Sequence, residues 1–179
     1  CASALLLSDG RSSPGLAFIR KTGATHHHSE YEMHLRREGA TEGKSGTGIT
    51  LRKATNADAR EIARQDAVYF GDRFEQDPGE ENRPLPEEEE RRGMTIYLAE
   101  RENRIIGKVN LQLLSGVGGI YGLGVLPEFR GRGYGRAILL EAVRRLNALG
   151  ASDITLQVST GNANALALYE SCGFETTAT

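Results

Sequence analysis

Residues 118–149 constrain the fold of this 179-residue chain more than any other stretch. "GGIYGLGVL" (118–126) reads as a strand interrupted by glycine, and "RGRGYG" (130–135) as a tight turn. Residues 134–149 then read as a helix, with Ile138, Leu139, Ala142, Val143, Leu146 and Leu149 along one face and Gly150 as its stop. Glycine inside a strand marks a bulge or a ligand lying against the backbone. A strand that passes through a turn into a helix gathers backbone N–H groups and the positive end of the helix dipole at one point. With side chains absent there, phosphate oxygens can reach the amides. The expected donors are the N–H groups of Gly131, Arg132, Gly133, Tyr134, Gly135 and Arg136, with the charges of Arg130, Arg132 and Arg136 alongside. The turn is shaped for a pyrophosphate. A glycine-rich turn whose arginines face water competes with that reading, and the loop alone does not separate the two.

The rest of the chain supplies a context. Residues 49–55 alternate like a strand, and 55–70 read as a helix with Thr55 as N-cap and Asp58 completing a capping box. The acidic run 79–93 is a solvated loop or short exposed helix, with the border of a cleft for a cationic substrate as its other reading. "MTIYLAER", a turn at Glu102–Asn103 and "IIGKVNLQLL" make a β-hairpin. "DITLQVS" is another strand, and "ANALALYESCG" a last helix ending at Gly173. Together these describe a mixed α/β fold, a central sheet flanked by helices.

Composition narrows the function classes. A 39% hydrophobic, 26% charged chain suits one soluble domain. A net charge of −2 gives no basic field for nucleic acid, and no apolar run is long enough to span a membrane. Cys1 and Cys172 form no metal-ligand pattern and fit a reducing cytoplasm, with Cys172 as a small buried residue. The opening "CASALLLSDG" has too short an apolar core and no basic lead-in for a signal peptide. The chain does not begin with Met and reads as a fragment or processed product. His26, His27 and His28 are adjacent, so they cannot all face one metal ion in regular structure, and are expected at a strand edge or the surface. The "GKS" at 43–45 lacks the glycine that a phosphate-binding loop needs at position 38, which is Glu38. A dinucleotide fingerprint fails at Arg136, where its third glycine belongs.

"VLPEFRGRGYGRAILL" resembles the acetyl-CoA signature of the GNAT superfamily of N-acetyltransferases, Arg/Gln-x-x-Gly-x-Gly/Ala, met by Arg130, Gly133 and Gly135 after Val125, Pro127 and Glu128. "NANALALYESCGF" is similar to the family's second signature, with Asn162, Ala165, Leu168, Tyr169, Glu170, Gly173 and Phe174 in place. The resemblance covers roughly residues 49–174. It implies a sheet whose fourth and fifth strands splay apart around CoA. It also implies acetyl-CoA as co-substrate, no metal, and a primary amine as acceptor. Leu123, Gly124 and Val125 are then expected to pair with the pantetheine arm, the amides from Gly131 to Arg136 to hold the pyrophosphate, and Asn162 to hydrogen-bond the cofactor. Tyr169 is expected to protonate the departing thiolate. The backbone N–H of Val125 is expected to meet the oxyanion. Many relatives carry a carboxylate base on the fourth strand; here that strand has Tyr121, which the acceptor pocket could use, and Glu100 stands elsewhere as a base acting through water. A non-catalytic CoA-binding module is the alternative, favoured by the missing carboxylate.

Residues 1–37 carry a weaker pattern. Sliding 4–23 onto 154–173, an offset of 150, aligns Leu6, Leu16, Ala17 and Gly23 with Leu156, Leu166, Ala167 and Gly173. Both read strand, polar loop, helix, glycine stop. In this reading 1–37 is the strand-helix-strand tail of a degenerate acetyltransferase repeat, 38–48 a linker and 49–179 the acetyltransferase domain. Ile19 then stands where Tyr169 does, and Ser12 where Asn162 does. The domain would lack its last strand unless "SEYEMHL" supplies it, which also leaves open a homodimer formed by strand exchange.

Overall fold

The computed structural model describes residues 6–25, 29–36, 47–71 and 83–179. The histidines at 26–28, the "GKS" and most of the expected linker lie outside these residues. The chain divides into two compact units, one of Thr41–Thr155 and one of Cys1–Ala40 with Leu156–Thr179.

In chain order the elements begin with α1 (Ser13–Lys21) and β1 (Glu30–Leu35), followed by β2 (Thr50–Lys53), a 3-10 turn (Asn56–Asp58), α2 (Ala59–Phe70) and α3 (Pro86–Arg91). Then come β3 (Met94–Arg101), β4 (Arg104–Leu114), β5 (Val117–Val125), α4 (Tyr134–Ala148), β6 (Asp153–Ser159), α5 (Ala163–Ser171) and β7 (Phe174–Ala178). This is a mixed α/β architecture, and no described helix is long and apolar enough to cross a membrane.

In the Thr41–Thr155 unit β2, β3, β4 and β5 form consecutive antiparallel pairs. Glu102 and Asn103 both adopt positive φ, the turn that lets β3 and β4 close as a two-residue hairpin. Thr55 and Asp58 form the predicted capping box, but on the 3-10 turn that leads into α2, whose own N-cap is Asp58: the Asp58 carboxylate accepts from the Thr55 N–H at 2.8 Å and from its hydroxyl at 3.2 Å. Helices cover both faces of this sheet. A β-carbon on Gly107 would meet Ile138 of α4, whereas the adjacent Lys108 meets Asp66 of α2, because neighbouring strand residues point oppositely. Ile138, Leu139, Ala142, Val143 and Leu146 are buried as predicted. Leu149, predicted on the same face, is 59% exposed: it is the C-cap residue, where the helical path that aligned it has ended.

In the second unit the strand order is β6–β1–β7. The last element expected from the sequence is a helix ending at Gly173, yet Phe174–Ala178 is a strand, because β1 gives it an antiparallel partner: Leu35 pairs with Phe174 and Met33 with Thr176. Met33 is fully buried and Phe174 nearly so. The strand expected ahead of α1 is not found at the described residues 6–9, which are irregular. Gly10 N–H donates to the Thr179 carbonyl and the Arg11 guanidinium to that of Thr177 at 2.6 Å. Gly10 and Arg11 thus bind residues 177–179, while Ser8 and Asp9 bond within the segment.

Candidate functional site

The turn between β5 and α4 is built to keep its backbone exposed. Leu126 N–H closes β5 onto the Ile106 carbonyl at 2.9 Å, and a 3-10 turn (Pro127–Phe129) leads away. Gly131 and Gly133 take φ of 73° and 79°, a region L side chains rarely adopt. Apart from the flanking residues and the helix's own backbone, no heavy atom of the described residues lies within 4 Å of a β-carbon built on either, so backbone conformation, not crowding, requires glycine there. Gly133 is the N-cap of α4 and brings no capping side chain. The amides that an Asp or Ser would have satisfied are therefore presented by the start of the helix. An anion fits these donors: amides, an uncapped helix start and exposed arginines, with no carboxylate in 129–136.

The sequence-predicted residues of this turn have unequal parts. Arg130 donates through Nε to the Val125 carbonyl at 2.9 Å, tying the turn to the end of β5, and Arg132 is exposed. Tyr134 contributes its amide at the first helical position while its ring is buried, edge-on to Phe129 at 6.5 Å. Arg101 lies 5.4 Å over the Tyr134 ring and Arg104 5.5 Å over that of Phe129. These two cations, from the β3–β4 hairpin, brace the turn and add to its positive potential.

β5 carries the other predicted segment. Lys108 pairs with Gly124 but Asn110 with Tyr121, so Gly122 and Leu123 together face Val109 and β5 carries one extra residue, a bulge. Gly122 has φ of 54°, and a β-carbon there would lie 3.0 Å from Asn110 Nδ2 and 3.3 Å from Lys108 Nζ. The Tyr69 ring covers Gly124, and its hydroxyl donates to Gln65 Oε1 at 2.9 Å. Buried Gln65 in turn donates to Glu61 at 2.8 Å. Burial pushes the Tyr69 hydroxyl above its ordinary pKa, so it stays a neutral donor. Tyr121 lies over Gly119, half-exposed, and does not line the cavity described next.

A cavity of about 660 Å³ opens among α2, the 83–86 segment and the β3–β4 strands. Its walls are mostly apolar; Asp66, Asn110, Arg60 and Glu89 are among its polar lining groups. Lys108, which does not itself line the cavity, holds two of these groups, at 2.7 Å from Asp66 Oδ1 and 3.3 Å from Asn110 Oδ1. Sequence reasoning missed Tyr69, Asp66 and Lys108. The available signal was a lysine in the middle of "IIGKVNL", where a strand covered on both faces has no room for an unpaired charge.

Glu100 does not stand ready as a base. It accepts from Arg52 Nε at 2.8 Å, and the same guanidinium holds both oxygens of Asp58 at 2.9 Å. The acidic run proves largely structural: Glu87 binds Asn56, Glu88 binds Arg92 and Glu90 binds Lys53, while Glu89 lines the cavity.

In the second unit Asn162 is the N-cap of α5, its Oδ1 accepting from Ala165 N–H at 3.1 Å. That leaves the amide NH2 as the end with which it could contact a ligand. Tyr169 is 8% exposed, with its ring 6.3 Å from that of Phe174, and burial raises the pKa of its hydroxyl. Cys172, three residues on, is buried and in no disulfide among the described residues.

Comparison with known proteins accords with this geometry. The acetyltransferase (GNAT) family model matches residues 58–174. A mycothiol acetyltransferase of Thermobispora bispora is 39% identical over 86 residues, covering 44% of this chain and 29% of that protein. One from Streptomyces avermitilis is 39% identical over 85 residues, covering 45% and 27%. The chain thus spans less than a third of the length of these curated relatives. Among solved structures, a GCN5-related N-acetyltransferase from Sphaerobacter thermophilus superimposes with TM-score 0.66 at 19% identity, covering 95% of this chain and 55% of its own. An aminoglycoside N-acetyltransferase in complex with CoA gives 0.59 at 18% identity, covering 75% and 93%. Two signatures in sequence order, the uncapped glycine turn and the matched family model agree, and the chain belongs to the acetyltransferase (GNAT) family.

Proposed function

We propose that the chain transfers the acetyl group of acetyl-CoA to a primary amine by direct attack on the thioester. The observation that carries this is the uncapped start of α4 at Gly133, behind two glycines held at positive φ. The amides of Gly131 to Arg136 hold the pyrophosphate. Arg132 and Arg136 add charge, and Arg130, through its bond to Val125, keeps the turn in register with β5. The backbone of Leu123, Gly124 and Val125 receives the pantetheine arm, and the Val125 N–H the oxyanion. Asn162 is assigned to cofactor contact through its NH2. Tyr169 protonates the CoA thiolate, a role for which a buried, neutral phenol is suited.

Calorimetric titration with acetyl-CoA tests the reading, alongside Gly133→Glu and Gly135→Glu. Wild-type binding that both variants abolish supports the cradle. A wild type that binds no acetyl-CoA sinks the proposal. A wild type that binds but acetylates no amine supports the rival, a CoA-binding module without catalysis.

A further inference from the structure

The missing base on β5 has a candidate on the helix that faces it. Lys108 is 1% exposed in the middle of β4, yet its ammonium is not placed among apolar groups. It holds Asp66 Oδ1 at 2.7 Å and Asn110 Oδ1 at 3.3 Å, and both partners line the cavity while Lys108 does not. The second oxygen of Asp66 has no protein partner among the described residues. The same ammonium abuts Gly122 in the β5 bulge, so one side chain links the cavity lining to the strand assigned to the cofactor. A buried ion pair contributes little net stability over an apolar pair of the same volume, so its position invites a functional reading.

We propose that Asp66 receives the acceptor's nitrogen and its proton, and that Lys108 is the positioning residue that aims it; this rests on the acetyl-transfer reading above. An isolated carboxylate would favour the ammonium form of an amine, which cannot attack. The Lys108 charge offsets that bias and leaves a fixed acceptor for the N–H of a neutral amine. The amine lone pair forms the N–C bond to the thioester carbon, and the C–S bond breaks with its electrons on sulfur. Sulfur takes its proton from the hydroxyl of Tyr169, as assigned above, and the proton shed by nitrogen goes to Asp66. The other nearby carboxylates are committed: Asp58 and Glu100 to Arg52, Glu61 to Arg64 and Gln65. Glu89 also lines the cavity, but from the short helix α3 and without a partner among the described residues to fix its side chain. Ile62, Ala63, Leu85, Pro86, Met94 and Ile96 form apolar walls, so the acceptor class is a primary amine on a compact apolar body.

Benzylamine is the probe, with saturating acetyl-CoA and release of the CoA thiol followed with time. Asp66→Asn is expected to lower kcat/KM for benzylamine by about tenfold or more, with acetyl-CoA affinity unchanged. Lys108→Met alone strands a charge, so the decisive variant is Lys108→Met with Asp66→Asn. Without a buried charge it should unfold thermally near the wild type, and it should keep the tenfold defect. Wild-type kcat/KM in the double variant shows the pair to be merely structural and overturns the proposal, as does an unimpaired Asp66→Asn. A wild type that binds acetyl-CoA but does not acetylate benzylamine overturns the assignment of the cavity. Failure to bind acetyl-CoA at all overturns the underlying acetyl-transfer reading instead.

Discussion

The ring of Tyr69 on α2 lies over the α-carbon of Gly124 on β5, in the space that a β-carbon there would occupy. Helix and strand therefore meet at the point assigned to the pantetheine arm, and the contact exists because residue 124 lacks a side chain. Gly124→Ala drives the ring aside and should cost ~1–3 kcal/mol. In a double-mutant cycle with Tyr69→Ala, the two changes should cost less together than their sum, as read by denaturant unfolding. Strict additivity would show that the two residues do not press on each other.

Gly133 presents the opposite case, a strained backbone without crowding among the described residues. Gly133→Ala should lower stability by ~1–2 kcal/mol through its φ of 79°, without any clash. Asn, which tolerates the left-handed region, should cost less than Ala at the same position. Thermal unfolding of the two variants ranks them; equal losses would argue against backbone strain as the cause.

The Arg52 guanidinium holds the Asp58 carboxyl down, lowered from 3.8 to about 2. A depressed carboxylate contributes stability above its unfolded pKa and loses it as pH falls through the folded one. Asp58→Asn should therefore be less stable than wild type at neutral pH by roughly 1–2 kcal/mol, a figure discounted for the partly exposed Arg52. The gap should begin to close below pH 4 and vanish near pH 2, as read by urea unfolding across that range. A gap that persists unchanged at the acid end would rule out the ion pair as its source.

Tyr169→Phe should reduce kcat while leaving acetyl-CoA affinity nearly unchanged, since the ring packed near Phe174 is kept and only the proton donor is lost. Calorimetry and turnover on one preparation separate the two. Weakened binding with intact turnover would remove the tyrosine from the chemistry.

Pairing of β1 with β7 makes residues 30–35 part of the second unit's core, with Met33 fully buried. Met33→Ala should cost ~2–5 kcal/mol. A chain lacking residues 1–37 should unfold at lower temperature, and a peptide of residues 29–36 added in trans should recover part of the loss. A truncated chain as stable as the whole would mean that β1 is dispensable.

Much of the site was legible in the sequence because its parts are local. Strand, turn and helix across 118–149 follow from spacing alone, and positive φ at Gly131 and Gly133 is what glycine in such a turn is for. Ser12 and Asn162 both cap helices of nine residues, α1 and α5, and Gly23 and Gly173 both follow those helices at positive φ. We keep as a proposal that residues 4–23 repeat 154–173, with 38–48 a linker and a domain from residue 49. The strand expected before α1 was misread because its apolar residues lead to the polar segment that binds the chain end.

By itself, then, the sequence determined whatever depends on neighbours along the chain: hairpin, glycine turn, helix faces and caps. Tertiary structure alone decided that Phe174–Ala178 is a strand, since that short, largely exposed segment owes its extended state to hydrogen bonds from β1, far away in sequence. It also decided which cation each carboxylate meets. Glu100, Asp58 and Asp66 look alike as letters. Arg52 engages the first two, while Lys108 engages one oxygen of the third where it lines a cavity. A carboxylate's role is set by the cation and the solvent it meets, and those are chosen by packing between α2 and the sheet, which no local spacing encodes.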